Sequence, residues 1–161
     1  AKWTILKLNA REVLEAAIVG DPAVGNSDSK APRPARIVAV AAKTLCERYG
    51  FDVVLWTDGP FDAGAYTFSR DARVSFVKAY DALPGPILSP IGAGDTVAGI
   101  TFVNFLERSA CLEYDEQPSA LLRAFSYGLS CGAASCLTPD NALFDPKVAD
   151  TLPYRLVDQA D

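Results

Sequence analysis

The segment that decides the fold of this chain is Ser89-Pro90-Ile91-Gly92-Ala93-Gly94-Asp95-Thr96. Its glycines form a turn, and the apolar periodicity of a helix begins directly after it. Glycine lets the backbone approach a ligand closely, and the N–H groups that open a helix attract phosphate oxygens. The segment therefore predicts a phosphate-binding turn at Gly92, Ala93 and Gly94, in which Asp95 accepts a proton from an attacking hydroxyl.

An ordinary turn is the alternative interpretation, in which Asp95 only caps the following helix. The wider pattern favours the first interpretation, because Gly-Ala-Gly-Asp followed by Thr96 and Gly99 resembles the signature of the ribokinase-like carbohydrate kinases, the pfkB family. The resemblance implies that Gly92–Gly94 form an anion hole and that Asp95 is the catalytic base. Val97 stands where the family commonly has phenylalanine.

Composition excludes several classes of protein. The chain has 161 residues, half of them hydrophobic, and a formal net charge of -5. Nucleic acid is a disfavoured partner because its phosphates require a basic surface. The apolar runs fall short of the roughly 20 residues that cross a bilayer, and no signal-peptide pattern opens the chain. We therefore expect a cytoplasmic protein with no membrane partner.

The chain contains no histidine. This excludes a Ser-His-Asp triad, a Cys-His pair and a histidine-ligated metal site, so a general base must be a carboxylate or a lysine. The cysteines show no Cys-x-x-Cys spacing, and at least three lie in apolar helical patterns, which predicts buried reduced thiols. There is also no methionine, and the chain begins within a strand pattern, so we expect a piece of a longer protein.

Strand and helix patterns alternate along the chain. Strands are predicted at Trp3–Leu8, Asp52–Trp56, Ala65–Ser69 and Val74–Ala79, and helices at Ala10–Ile18, Ile37–Tyr49, after Asp95, and along Leu121–Cys136, with a loop over 19–34. The helix after Asp95 is apolar on nearly every face and is expected to be buried. The alternation predicts an α/β layered fold with a mainly parallel sheet flanked by helices. The resemblance implies one domain over 1–161, the incomplete C-terminal, nucleotide-binding part of the ribokinase-like fold.

A second motif lies at the end of the first strand. Asn9-Ala10-Arg11-Glu12 resembles the family's Asn-x-x-Glu motif, which implies that Asn9 and Glu12 organise Mg²⁺ and the nucleotide phosphates. The alternative is a capping box, in which Asn9 caps the helix and Glu12 reaches back to the opening amide. The order of the two motifs along the chain favours the metal role. Lys7 also matches a lysine in part of the family, although Leu8 replaces the usual proline.

Two further segments resemble the nucleotide contacts of the family. Thr57-Asp58-Gly59 resembles its Thr-x-Gly motif, which implies that Thr57 and Gly59 lie along ATP, although the next glycine comes later than usual. The segment 132–142 resembles the helix and exit turn that border the adenine pocket, which implies that Ser130 and Gly132 face the base. Asn141 stands there in place of a glycine and tolerates a left-handed backbone. A plain packing helix is the alternative for this segment.

These resemblances imply ATP-dependent phosphorylation of a hydroxyl on a small-molecule sugar or sugar phosphate, with ATP and Mg²⁺ as cofactors. The alternative is a non-catalytic kinase fragment that acts as a binding or oligomerisation module, because missing strands would leave sheet edges open to partners, including homo-oligomers. P-loop and dinucleotide-binding folds are disfavoured, since neither glycine motif occurs.

Overall fold

The structure is a computed structural model that describes residues 3–18, 34–59, 62–68, 72–79, 83–113, 116–152 and 154–157. The predicted loop over 19–34 lies outside the described residues except for Pro34. The elements in chain order are β1 (Ile5–Asn9), α1 (Ala10–Ile18), α2 (Ala35–Tyr49), β2 (Val53–Thr57), β3 (Ala63–Thr67), β4 (Arg73–Ala79), α3 (Ala93–Ser109), α4 (Gln117–Ser135), α5 (Pro146–Ala149) and β5 (Tyr154–Val157).

The five strands form one sheet in the order β1-β2-β3-β4-β5. β1 and β2 pair in parallel, and the crossover that this requires contains α1 and α2. The register places Asn9 beside Thr57, so both polar ends meet at one edge of the sheet. β2 and β3 pair antiparallel, as a short connection allows. The predicted α/β class is confirmed, with an antiparallel pairing beside the parallel one.

The contacts divide the chain into two compact units. The first, here the N-terminal unit, comprises Ala1–Phe76 and Val157–Asp161, and the second, the C-terminal unit, comprises Val77–Leu156. One domain over 1–161 stays a prediction. None of the described helices combines the length and the apolar character that crossing a bilayer requires.

The core of the N-terminal unit forms around β2, in which Val53 to Trp56 are fully buried. The indole of Trp56 meets the ring of Phe76 edge to face, with centroids 6.0 Å apart, a geometry that aromatic pairs prefer. α2 packs its apolar stripe into this core and ends where predicted, at Gly50. Gly50 takes a left-handed φ of 74° and donates its N–H to the Cys46 carbonyl, which satisfies an otherwise unpaired helix-end acceptor.

The C-terminal unit is built on the packing of α3 against α4. The predicted small-residue stripe of α4 is confirmed for Leu121, Phe125, Gly128 and Gly132, which are buried, while Cys136 at the end of the stripe is only partly buried. The prediction that α3 is buried on nearly every face was wrong, because Leu106 on that helix is 66% exposed. A surface helix buries one stripe against its neighbour, whatever the apolar content of its other faces.

All four cysteines are free thiols, as predicted, but the predicted burial does not extend to Cys111, which follows the end of α3. Cys46 and Cys131 are buried, Cys136 is partly buried, and Cys111 is exposed. Burial raises the pKa of Cys46 from its ordinary value of 9.0 to about 11, and the nearby carboxylates of Asp52 and Glu47 add to the rise. Desolvation and negative neighbours both disfavour a thiolate.

This pKa shift predicts a loss of stability at alkaline pH. The unfolded thiol ionises above about pH 9 and the folded one above about pH 11, so the stability from Cys46 is fully present below pH 9 and is lost between these values. We expect the free energy of unfolding of wild type to approach that of Cys46→Ala as the pH rises through this window. Denaturant titrations of both proteins at several pH values measure the gap. A gap that stays constant would contradict the prediction.

Candidate phosphate-binding site

The glycine turn opens α3 with an unusual cap. Gly92 is the N-cap residue in a left-handed conformation, with φ 81°, and no side chain caps the helix. The N–H and hydroxyl of Thr96 both donate to the Gly92 carbonyl, at 2.9 and 3.0 Å. Asp95 is therefore the third residue inside the helix. The alternative in which Asp95 is the cap does not hold, because glycine occupies that position.

Asp95 is an exposed carboxylate in the first turn of α3. Its side chain is exposed, and no hydrogen bond or ion pair joins its carboxylate to another residue in the described part of the chain. A carboxylate in the first turn of a helix interacts favourably with the helix dipole. The first N–H groups of a helix have no i−4 carbonyl within the helix, and helix starts therefore bind anions. At α3 the Ala93 N–H donates to the Pro90 carbonyl at 3.4 Å.

Gly92 meets two requirements that exclude other residues. Its left-handed φ favours glycine. A side chain would also place its Cβ 3.0 Å from the Ala142 nitrogen and 3.2 Å from the Ala142 Cβ. The turn that follows α4 therefore lies directly against the glycine turn.

Asn141 is the sequence-predicted residue that this turn places differently from expectation. The left-handed residue is Ala142, with φ 56°, and Asn141 has a negative φ. The Asn141 side chain instead accepts a hydrogen bond from the Ser89 hydroxyl at 3.3 Å. The left-handed residue is therefore one position later than Asn141, at the residue that contacts Gly92. A contact between Asn141 and a nucleotide stays a prediction.

Ser130 and Gly132 occupy positions within the packing of α4. The buried Ser130 hydroxyl donates to the Leu152 carbonyl at 2.7 Å. A side chain at Gly132 would place its Cβ 2.5 Å from Val97 Cγ2 and 3.0 Å from the Ala93 carbonyl oxygen. Gly132 thus lets α4 approach the first turn of α3, which gives it a role in placing the glycine turn.

An open, mainly apolar groove of about 260 Å³ lies beside the end of α4 in the C-terminal unit. Its walls include Pro84, Pro86, Leu88 and Leu137. Ala134, Leu137 and Thr138 of the segment predicted to border the adenine pocket also line it, whereas Gly92–Asp95, Ser130, Gly132 and Asn141 do not.

In the N-terminal unit, Asn9 and Glu12 form a capping box, which was the alternative to the metal role in the sequence analysis. The Asn9 N–H donates to Glu12 Oε2 at 2.8 Å, and the Glu12 N–H donates to Asn9 Oδ1 at 2.9 Å. Each side chain satisfies one unpaired amide at the start of α1. Both side chains are exposed, and among the described residues no group of three metal-ligating side chains occurs. The magnesium role stays a prediction.

Lys7 joins this edge of the sheet. Its Nζ donates to Thr57 Oγ1 at 3.4 Å, and Gly59 follows with a left-handed φ of 58°. In the sequence, Lys7 matches a lysine in part of the family, and its bond to Thr57 was not predicted. The signal was available, because parallel strands in register bring residues near their carboxyl ends together.

Solved structures provide the comparison. Ribokinase from Giardia lamblia matches with a TM-score of 0.67 and 15% identity, over 92% of this chain and 43% of that protein. Phosphofructokinase-2 from Escherichia coli in complex with potassium matches with a TM-score of 0.62 and 19% identity, over 92% and 40%. A phosphofructokinase candidate from Staphylococcus aureus matches with 0.61 and 18%, over 96% and 42%. The chain has the ribokinase-like fold.

The resemblance to the ribokinase-like carbohydrate kinases is thereby confirmed at the level of the fold. The chain spans only about two fifths of the length of these three proteins, which agrees with the predicted incomplete fold. No model of a protein family matches the sequence, and no curated protein does.

Proposed function

We propose that this ribokinase-like chain is the nucleotide-binding portion of an ATP-dependent carbohydrate kinase that phosphorylates a hydroxyl of a sugar or sugar phosphate. The observation that carries the proposal is the start of α3, where left-handed Gly92 leaves the helix without a side-chain cap and Asp95 stands exposed in the first turn. Structural neighbours that are named as sugar kinases support the same reaction class.

The proposed reaction moves the γ-phosphoryl group of ATP to the sugar. A bond forms between the hydroxyl oxygen and the γ-phosphorus, the bond from this phosphorus to the β–γ bridging oxygen breaks, and ADP leaves. Asp95 takes the hydroxyl proton. Catalysis of this kind consists mainly of positioning and of stabilising charge on the phosphoryl oxygens. The backbone from Gly92 to Asp95, at the positive end of the α3 dipole, is suited to that charge.

Magnesium fits this proposal as an ion held mostly by phosphates and water. Mg²⁺ keeps several waters and takes one or two protein carboxylates. Glu12 uses Oε2 in the capping box, and its exposed carboxylate still has Oε1. Glu12 and Asn9 would therefore steer the ion from outside its first shell. When bound, the ion would neutralise charge on the phosphates.

The remaining contacts are proposed from the resemblance. Thr57 and Gly59 would lie along ATP at the carboxyl end of β2. Ser130, Gly132 and Asn141 would belong to the wall of the adenine pocket, with the first two supporting it from within the helix packing.

A binding or oligomerisation module is the second candidate. β1 is an edge strand of the sheet, and its apolar residues Ile5, Leu6 and Leu8 are each only partly buried. Parallel strands are normally covered on both faces, and open edges pair with other chains. Phosphofructokinase-2 from Escherichia coli occurs in a tetrameric inhibited form, which makes self-association a reasonable form of this candidate.

Titration calorimetry with ATP, with and without Mg²⁺, tests the proposal and separates the two candidates. We expect ATP to bind the chain and Mg²⁺ to strengthen binding. Binding combined with sugar-dependent ADP release would support a complete kinase site, and binding without turnover would support a nucleotide-binding portion. Absence of ATP binding at millimolar concentrations would overturn the proposal in favour of the module.

Glu12→Gln separates the magnesium role from the capping role. Glutamine keeps an acceptor for the Asn9 N–H, so we expect an unchanged melting temperature. Loss of the negative charge is expected to weaken Mg²⁺ binding, so that ATP binding needs an about tenfold higher Mg²⁺ concentration. Loss of other outer-shell partners of metals has an effect of this size.

Glu15→Gln is the matched control on the same helix, because Glu15 is exposed and pairs with Arg11. Calorimetric titrations at a series of Mg²⁺ concentrations measure the difference. If both variants respond to Mg²⁺ as wild type does, Glu12 is a capping residue only.

A further inference from the structure

We propose that the turn after α4, residues 138–143 and here called the exit turn, positions the glycine turn of α3, and that Thr138 is the positioning residue. The conformational part of this inference rests only on contacts within the C-terminal unit. Its consequence for phosphate binding rests on the proposed function.

Thr138 is the first residue of the exit turn, and its hydroxyl lies close to three carbonyl oxygens. Its Oγ1 lies 2.9 Å from the Leu143 carbonyl oxygen, 3.1 Å from that of Asp140 and 3.0 Å from that of Ser135. These carbonyls belong to the last residue of α4 and to two points along the turn. One hydroxyl therefore ties the turn back to the end of the helix.

The exit turn holds a strained residue where it meets the glycine turn. Ala142 has a φ of 56°, which residues with a side chain adopt only when their surroundings hold them there. Its backbone nitrogen occupies the space that a Gly92 side chain would need. Two left-handed residues thus lie against each other, and movement of Ala142 would remove the surface against which Gly92 packs.

The segment that leads into the glycine turn is tied to the same region. The N–H groups of Leu88 and Ser89 donate to the Cys136 carbonyl at 2.8 and 3.3 Å. The Ser89 hydroxyl donates to Asn141 at 3.3 Å. The exit turn therefore contacts the glycine turn both before Gly92 and at Gly92, although none of its contacts requires a ligand.

Thr138→Val and Thr138→Ser test this role, since valine keeps the shape without the hydroxyl and serine restores the hydroxyl. Thr151→Val is the control, because Thr151 makes a similar bond to the Val148 carbonyl at 2.7 Å. In ¹⁵N-labelled protein we expect Thr138→Val to shift the Gly92 amide resonance and weaken the nuclear Overhauser effect between a Gly92 Hα and the Ala142 amide, which the structure places close together. Thr138→Ser and Thr151→Val should match wild type at Gly92.

The second readout is ligand affinity. We expect Thr138→Val to weaken ADP binding at least about fivefold, the lower range of coupling between linked sites, and Thr138→Ser to bind ADP as wild type does. Thr151→Val, which loses a similar bond outside the exit turn, should also bind ADP as wild type does and thus controls for a loss of stability alone. If wild type binds no ADP, the proposed function fails, and the Gly92 resonances still decide the positioning role.

Combining Thr138→Val with Ala142→Gly gives a rescue test. Glycine adopts a left-handed φ without strain, so the double variant should regain the wild-type Gly92 resonance. If Thr138→Val does not fold, Ser89→Ala replaces it and should shift the Gly92 amide by a smaller amount. A Gly92 resonance that stays at its wild-type position in Thr138→Val, or in Ser89→Ala when that variant replaces it, would overturn the proposal.

Discussion

Asp95→Asn is expected to lower the turnover of sugar phosphorylation at least about a hundredfold, with ATP affinity largely retained. A positioned general base contributes about 10²- to 10⁴-fold, and asparagine keeps the size of the side chain while removing its ability to accept a proton. Retained affinity is expected because the phosphate contacts proposed for α3 come from backbone amides. Steady-state kinetics and calorimetry on the protein that carries the activity measure both quantities.

Glu107→Gln is the control for this experiment. Glu107 is an exposed carboxylate on the same helix, several turns from the glycine turn, so its neutralisation changes the charge of α3 without touching the proposed site. Turnover of Asp95→Asn within a few fold of Glu107→Gln would remove Asp95 from the mechanism.

Gly132→Ala is expected to destabilise the protein by about 1–3 kcal/mol, the usual cost of overpacking. The added Cβ would lie 2.5 Å from a methyl group of the buried Val97 and 3.0 Å from the Ala93 carbonyl oxygen. The backbone contact cannot be relieved by a rotamer change, so α3 and α4 must separate at the start of α3. We therefore expect weaker ATP binding together with the loss of stability, both measurable by denaturant titration and calorimetry.

Gly99→Ala provides the matched control. Gly99 lies in the same helix pair, on α3, and a Cβ there meets nothing within 4 Å. Alanine at such a position is neutral or stabilises a helix by up to about 1 kcal/mol. Equal stability changes in the two variants would show that close packing at Gly132 does not hold α3 in place.

The local elements followed from the sequence because local rules decide them. Helical spacing and Gly50 predicted α2 and its left-handed end, and the four-residue pattern of Asn9 and Glu12 offered the observed capping box as the alternative to the favoured metal role. The burial of α3 was not predictable in the same way. The apolar residues of α3 include Leu106, which is exposed, and only the placement of α4 determines which stripe is covered.

The candidate site divides along the same line. Gly92 to Asp95 were identified from adjacent residues, and the structure places them as one helix start. The contact of Gly92 with Ala142 and the bond from Lys7 to Thr57 join residues 50 positions apart in the chain. Such pairs depend on strand register and helix packing, which a single sequence does not specify. The left-handed conformation at Ala142 rather than Asn141 was not predictable for the same reason, because Ala142 is the residue that contacts Gly92.

The opening amides of α3 are proposed to hold the phosphates of ATP. The most direct test of this proposal is a titration of the ¹⁵N-labelled chain with ATP and Mg²⁺, followed through the backbone amide resonances. We predict large, saturable shifts at Gly92, Gly94 and Asp95. Saturable ATP binding that leaves these three resonances unmoved would show that the start of α3 does not hold the phosphates.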